Sequence, residues 1–294
     1  MDAQLIQHSF RQHKHWLAVI EAIKNIQTLS YEVRNHRGAT TAQLVGDDFL
    51  NSIAFRQQQS ADKMLATIER FSNSFPDILQ RKEYACISQS WRAIQQQWHN
   101  LGPLACFDLH SKLLDYLNKL SWLIAIRTDG DILDNKGGDK SRLSHFIFSH
   151  LIQLIESTAR LRGIACFHCS KGELNAEDRQ ELGRLLNTLF QQWSDLQREH
   201  KNMPLYSQQL VEDSINCRDM QSLLCDFFDV INPIQNTQEE LPVSADIFLS
   251  AGPFLAALKH QYNILVDQLA GCMPSNLNHW VNGSSMIKQQ GLEL

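Results

Sequence analysis

The sequence predicts an all-α fold of two packed four-helix bundles related by an internal repeat, and three observations carry this prediction. The chain of 294 residues contains only 7 prolines and 13 glycines, which favours long helices over short strands. Apolar residues recur every three to four positions along most of its length. A stretch rich in Gly and Asp, TDGDILDNKGGDK at 128–140, separates four predicted helices from four more.

The first predicted unit covers residues 1–130, and sequence signals mark the ends of its helices. Gly46, followed by two aspartates, combines a helix stop with the next N-cap. Pro76 ends the second helix, and Gly102-Pro103 gives a stop followed by a restart. The predicted helices cover about 2–45, 49–74, 76–100 and 103–127.

The second predicted unit covers residues 140–271 and repeats this plan. Asn175 and Ser244 are predicted N-caps, and Pro204 opens a helix between them. A polar tail without an output module follows at 272–294. The predicted helices cover about 140–170, 176–201, 204–230 and 244–270.

An Arg-Gly pair lies late in the first helix of each unit, within YEVRNHRGATT at 31–41 and ESTARLRGIAC at 156–166. Steps of three and four residues place Arg37 and Arg162 on the apolar stripe of their helices, so both should face inward. A buried arginine needs an anion, because an unpaired buried charge costs several kcal/mol or more. That anion is either an Asp or Glu inside the bundle or a bound ligand.

The two Arg-Gly pairs also define the internal repeat. Overlaying Arg37 on Arg162 gives an offset of 125 (162 − 37). With that offset Arg92 falls one position from Arg218, because 92 + 125 = 217. Arginines therefore recur at matched places in two successive units, although duplicated helices can also keep surface arginines by accident.

Arginine chemistry indicates which ligand such a site would take. A guanidinium is planar, always charged and weakly hydrated, so converging arginines suit a small flat oxyanion such as nitrate or nitrite better than tetrahedral phosphate. Gly38 and Gly163 would let a helix or the ligand approach the backbone closely. Thr40 and Thr41 could supply neutral donors beside Arg37.

Composition narrows the classes of partner and compartment. A net charge of −5 and a pI of about 6.2 give no general basic field, so nucleic acid is not an expected partner. No apolar run approaches the roughly 20 residues of a membrane span, and the N-terminus lacks a signal-peptide core. The expectation is a cytoplasmic protein whose 7 cysteines are reduced and buried.

No catalytic or metal motif is complete. Cys166 and Cys169 have CxxC spacing, but no second pair with matching spacing is close, so no metal is expected. His145 and His150 are typical of a solvated face. The sequence lacks a Gly-rich phosphate loop and a nucleophile elbow. It therefore predicts neither an enzyme nor a cofactor.

Four stretches in this order, YEVRNHRGATTAQLV, FRQQQSADKMLATI, LIESTARLRGIAC and LPVSADIFLSAGPFLAAL, resemble the nitrate- and nitrite-sensing (NIT) domain of bacterial signalling proteins. The resemblance covers about 30–269 and implies two four-helix bundles whose long helices hold nitrate or nitrite. Residue by residue, it implies Arg37, Arg162 and Arg218 as ligands, with Arg34 as a further candidate. The chain departs from the family pattern at His36, where a charged residue often precedes the first Arg-Gly, and at Gly252-Pro253, where the glycine is often followed by Thr.

The resemblance also implies a sensor that signals by a conformational change. Family members usually carry an output module, and the residues after Leu269 are too few to form one. The expectation is a stand-alone sensor that acts on a separate signalling protein, or a piece of a longer regulator, and a homodimer is compatible with either. Two alternatives stay open: a ligand-free helical adaptor whose arginines are locked in ion pairs, and a regulator acting on RNA in trans.

Overall fold

The computed structural model describes residues 3–128, 139–214, 217–235 and 240–271. Helices fill most of these residues, and the described ranges contain no strand, which confirms the all-α prediction. Short 3₁₀ turns follow α3 and α9 at Trp98–Asn100 and Asn232–Gln235. The helices are α1 Ala3–Gln43, α2 Asp48–Ser74, α3 Arg81–Gln97, α4 Pro103–Thr128, α5 Asp139–His145, α6 Ile152–Lys171, α7 Ala176–Asn202, α8 Leu205–Ser214, α9 Cys217–Ile231 and α10 Ser244–Gly271.

The first bundle consists of α1 to α4. α1 packs along α2 and α4, and α3 packs against both of these helices. The predicted break after α1 is confirmed, because Gly46 adopts a φ of +96°, a conformation that favours glycine. The Asp47 carboxylate then accepts a hydrogen bond from the Leu50 backbone N–H at 3.1 Å, which caps α2 as predicted. The predicted loop at 129–138 lies outside the described residues.

The second bundle consists of α5 to α10, with α6 packed on α7 and α10. Its first helix differs from the continuous α-helix predicted over 140–170, because a π-helix at Phe146–Leu151 joins α5 to α6. In this π-helix the Ile152 N–H bonds to the carbonyl of Ile147, five residues earlier. The predicted helix at 204–230 corresponds to α8 and α9, and residues 215–216, where the two would join, lie outside the described ranges.

The predicted starts of two helices in this bundle have different outcomes. The cap of α7 is confirmed, since Asn175 and Asp178 form a reciprocal capping box. Ser244 begins α10, but its hydroxyl donates to Asp47 rather than capping its own helix. Ser170 at the end of α6 also donates to Asp47, at 2.8 Å, so one carboxylate links both bundles. No helix of the described ranges has the combined length and apolarity of a membrane span.

The two bundles meet where α1 crosses α6, and glycines from the two Arg-Gly motifs lie at the crossing. A Cβ built on Gly38 would lie 3.6 Å from the Cα of Gly163, an ordinary contact. A Cβ built on Gly163 would lie only 3.0 Å from Cε2 of Phe107 and 3.4 Å from the Cα of Gly38. The close approach of the helices therefore depends more on Gly163 than on Gly38.

We expect this asymmetry to appear in unfolding free energies. Gly38→Ala should be neutral or stabilising, because alanine favours a helix over glycine by up to about 1 kcal/mol. Gly163→Ala should lower the unfolding free energy relative to Gly38→Ala by about 1–3 kcal/mol, because the methyl group overpacks Phe107. Urea titrations followed by circular dichroism measure both. Equal stabilities of the two variants would contradict this account of the crossing.

Candidate anion site

The Arg-Gly motifs place their arginines inside the molecule, as the apolar stripes predicted. Arg37 is 0% exposed, Arg162 is 2% exposed, and Arg34, one turn before Arg37, is 3% exposed. The first two lie on opposite sides of the interface between the bundles, because α1 belongs to one bundle and α6 to the other. Burial is the main cause of the lowered pKa of Arg162, and the positive charge of Arg37 lowers that pKa further.

One carboxylate serves two of these arginines. The Arg37 Nη1 donates to Oε1 of Glu156 at 2.6 Å, and the Arg34 Nε donates to Oε2 of Glu156 at 3.0 Å. Burial alone would raise the pKa of Glu156, but Arg37 and Arg34 lower it below its usual range. The carboxylate is therefore ionised at neutral pH. It comes from α6 in the second bundle, whereas the carboxylate partner expected for Arg37 was one inside the same bundle.

Neutral groups complete part of the shell around Arg34 and Arg37. Asn118 Oδ1 accepts from the Arg34 Nη2 at 3.1 Å, and the Ser111 hydroxyl accepts from the Arg37 Nη1 at 2.9 Å. The Arg37 guanidinium also lies 4.4 Å from the ring centre of Phe107. These contacts hold the arginines in place but supply no further negative charge.

Arg162 is bound differently, because no carboxylate of the described residues lies within ion-pair distance of it. Its Nη2 donates to Oδ1 of Asn35 at 2.7 Å, and its guanidinium lies 4.3 Å from the ring centre of Phe248. Burial lowers the pKa of Arg162 to about 10, which still leaves it charged at neutral pH. The alternative that each arginine pairs with an Asp or Glu of the protein therefore holds for Arg37 and not for Arg162.

Three buried N–H donors of these arginines have no partner. They are Nε and Nη2 of Arg37 and Nε of Arg162. An unsatisfied buried donor costs about 1–3 kcal/mol, and more when the group is charged. Among the described residues, Glu156 is the carboxylate that pairs with Arg34 and Arg37, and none pairs with Arg162, so the three guanidiniums carry an excess of two positive charges (3 − 1). Both features would be relieved by one small anion that accepts hydrogen bonds.

A cleft of about 290 Å³ leads from the surface toward this charge cluster. Asn118 and Glu156, which both contact Arg34, line it. Lys119 and Trp122 also contribute to its wall. Because the Glu156 side chain is 17% exposed, the carboxylate lies between the cleft and the buried guanidinium of Arg37.

Other residues named from the sequence have different outcomes. Arg218 lies at the start of α9, but its side chain is outside what the structure describes. Arg92, its counterpart in the repeat, is exposed on α3. The Thr40 hydroxyl donates to the carbonyl of His36, and the Thr41 hydroxyl donates to that of Arg37, so neither is free to donate to a ligand. A threonine in a helix satisfies its own hydroxyl in this way.

Several residues that complete the site were not predicted from the sequence. Glu156 was within the second quoted motif, six residues before Arg162, but no rule of spacing links it to helix α1. Asn35, Ser111 and Asn118 carried no signal, because single polar residues on helices are common.

His36 of the first motif pairs with a second buried histidine, His110 on α4. His110 Nδ1 donates to the carbonyl of Cys106 at 2.7 Å, which leaves its Nε2 to accept from His36 Nδ1 at 2.8 Å. Burial lowers the pKa of His110 to about 4, and burial together with His110 lowers the pKa of His36 well below its usual value. Both imidazoles are therefore neutral at pH 7.

Cys166 in the second motif is buried and Cys169 is partly buried, whereas Cys86 and Cys225 are exposed, so the expectation of buried cysteines is wrong for those two. Cys166 donates to the carbonyl of Ser244 at 3.4 Å. Burial raises the pKa of Cys169 to about 12 and raises the pKa of Cys166 further. Both are protonated at neutral pH, a state that neither attacks electrophiles nor binds metal.

Comparison with known proteins shows a similarity in fold to a solved structure. No family model and no curated protein matches the sequence. A solved structure of the NasR transcription antiterminator aligns with 94% of this chain and 74% of its own chain, with a TM-score of 0.66 and 12% sequence identity. At that identity the likeness concerns the fold.

The histidine pair predicts a loss of stability in mild acid. His110 has a folded pKa of about 4 and an ordinary value of 6.5, so the unfolded chain takes up a proton over this interval and the native protein does not. The unfolding free energy should fall as the pH drops from 6.5 to 4, by about 3 kcal/mol from this residue. Urea titrations at several pH values measure the slope.

The matched control for this prediction is an exposed histidine, His99. His110→Gln should flatten the slope between pH 6.5 and 4, whereas His99→Gln should leave it as in the wild type. A wild-type slope in His110→Gln would show that the buried pair does not control the acid response.

Proposed function

We propose that this protein is a sensor that binds nitrate or nitrite between its two helical bundles and passes the signal to a separate partner. The observation that carries the proposal is the set of unpartnered guanidinium donors on Arg37 and Arg162, buried at the crossing of α1 and α6. We propose these two as the main ligands and Arg34 as a supporting one. Arg218 stays a proposed third ligand on the strength of the sequence resemblance.

The chemistry of the cluster supports a small planar oxyanion. The free donors are guanidinium N–H groups, which lie in a plane and match the oxygens of a planar anion. Phe107 and Phe248 cover the two guanidiniums and make the surroundings apolar, which favours a weakly hydrated anion over phosphate. The resemblance of the sequence to the NIT domain and the likeness of the fold to a transcription antiterminator add independent support.

Glu156 has a specific part in this proposal. In the absence of ligand it neutralises Arg34 and Arg37, so it is an internal competitor for an incoming anion. A bound anion would repel Glu156 and bind arginines from both α1 and α6. The relative packing of the two helices would then differ between the free and bound states, and this difference is what a partner would recognise.

The likeness to an antiterminator favours one second candidate, a regulator that acts on RNA. The net charge of −5 opposes it, since RNA binding rests on contacts between cationic side chains and phosphates. A salt-dependent mobility shift with RNA would support this candidate. The main alternative hypothesis is a ligand-free adaptor. Nitrate and nitrite would not stabilise such a protein. We propose no catalytic role for the site. We propose that the protein is cytoplasmic.

Thermal melts in chloride, nitrate, nitrite and sulfate at matched ionic strength test the proposal. An anion present at a hundred times its dissociation constant stabilises the folded state by about 2.7 kcal/mol, so nitrate or nitrite should raise the melting temperature above that in chloride. Arg162→Ala should abolish this rise without unfolding the protein, because no described carboxylate loses its partner. Arg162→Lys should lose most of the rise, since an ammonium keeps the charge but not the planar fork.

Arg184 supplies the matched control, because it is an exposed arginine on α7. Arg184→Ala should keep the full response to nitrate. An adaptor would behave differently: neither nitrate nor nitrite would shift the wild type, and Arg37→Ala would destabilise it in every salt because Glu156 loses a partner. That pattern would exclude the sensor.

A second prediction concerns the internal competitor. Glu156→Gln should be less stable than the wild type in chloride, by up to about 3–5 kcal/mol, because two buried arginines lose their counter-ion. The same variant should gain more stability from nitrate than the wild type gains. Melting curves with and without nitrate measure both effects.

The control for this variant is Asp267→Asn, which removes a carboxylate from an exposed ion pair with Lys24. It should alter neither the stability in chloride nor the response to nitrate by more than about 0.5 kcal/mol. A nitrate response in Glu156→Gln that is equal to or smaller than that of the wild type would contradict the role of Glu156 as a competitor.

A further inference from the structure

The π-helix that joins α5 to α6 has a consequence for two histidines. In an α-helix, residues five apart point in directions that differ by about 140°, so His145 and His150 would face apart. The i→i+5 bonding around Ile147 and Ile152 widens the turn and brings residues five apart onto one side. The two imidazole rings lie with their centres 5.0 Å apart.

A carboxylate from the neighbouring helix completes the group. Glu199 on α7 faces the two histidines, and one ligand atom from each of the three side chains lies within 4.8 Å of the others. His145 is exposed, and His150 and Glu199 are partly buried, so the group is open to solvent on one side. Among the described residues, this is the one group of three potential metal-ligating side chains with such spacing.

We infer that His145, His150 and Glu199 form a binding site for a transition-metal dication, with Zn²⁺ as the best match. Two imidazoles and one carboxylate are a common ligand set for zinc, which binds nitrogen and oxygen at about 2.0–2.2 Å. A tetrahedral arrangement places ligand atoms about 3.3 Å apart, so the side chains need only small rotations to close around an ion. Three protein ligands leave a fourth position for water.

The existing partner of Glu199 is weak enough for an ion to displace. Arg142 Nη1 lies 3.5 Å from Oε1 of Glu199, and the Arg142 side chain is 48% exposed. An ion pair at this distance whose cation is half exposed contributes little to stability. Arg142 would therefore compete with the metal for Glu199 without blocking the site.

A bound ion would link the start of the second bundle's long helix to α7. The π-helix leads directly into α6, which carries Glu156 and Arg162, so the metal would hold the helix that supplies these residues. The site is nevertheless separate from the charge cluster in its residues. Its occupancy can be tested without any anion present.

Isothermal titration calorimetry with Zn²⁺ on the whole chain, stripped with a chelator, tests the inference. We expect one equivalent to bind to the wild type and to raise its melting temperature. His145→Ala and His150→Ala should weaken binding at least tenfold, and Glu199→Gln should do the same. Arg142→Ala should tighten it, because the competing cation is removed. Co²⁺ should give visible ligand-field absorption that the three ligand variants lose.

Matched controls identify the source of any affinity. His99→Ala and His260→Ala remove exposed histidines elsewhere and should bind Zn²⁺ like the wild type. A triple alanine variant of His8, His13 and His15 excludes binding by the N-terminal histidines and should also retain the site. Circular dichroism without metal checks that His145→Ala, an exposed position, is folded. Absence of stoichiometric binding to the wild type, unchanged binding in His145→Ala, or loss only in the N-terminal variant would overturn the inference.

Discussion

The close crossing of α1 and α6 buries two arginines in the interior of this molecule. Gly38 and Gly163 allow the two helix backbones to meet, and the arginine before each glycine is enclosed by the same contact. A guanidinium cannot give up its charge under physiological conditions, so enclosing it requires an anion or a loss of stability. The close packing at the two glycines therefore buries positive charge, and a bound oxyanion would compensate that charge.

The protein's own residues compensate only part of the buried positive charge. Glu156 neutralises the arginines of α1 from the other bundle, while Arg162, on the same helix as Glu156, relies on Asn35 and Phe248. Such an arrangement can fold without ligand, because one carboxylate and several neutral groups offset part of the desolvation cost. It also keeps donors unsatisfied at the interface, where a ligand could favour one packing of the bundles.

Local sequence rules predicted much of the fold, but they could not predict contacts between residues far apart in the chain. Apolar periodicity placed Arg37 and Arg162 inside, and turn chemistry predicted the ends at Gly46 and Asn175. Periodicity assumes 3.6 residues per turn, so it missed the π-helix and left His145 and His150 on a solvated face. The pairing of Glu156 with Arg37 spans 119 residues along the chain and depends on how two bundles pack, which no local spacing records.

Calorimetric titration of nitrate into the protein at constant ionic strength tests the central claim most directly. The account predicts one saturable site per chain in the wild type, unchanged in Arg184→Ala and absent in Arg162→Ala. Stoichiometry matters here, because a general salt effect on a charged surface would not saturate at one equivalent. Absence of saturable binding to the wild type, or equal affinity in Arg162→Ala, would contradict an anion site at the crossing of α1 and α6.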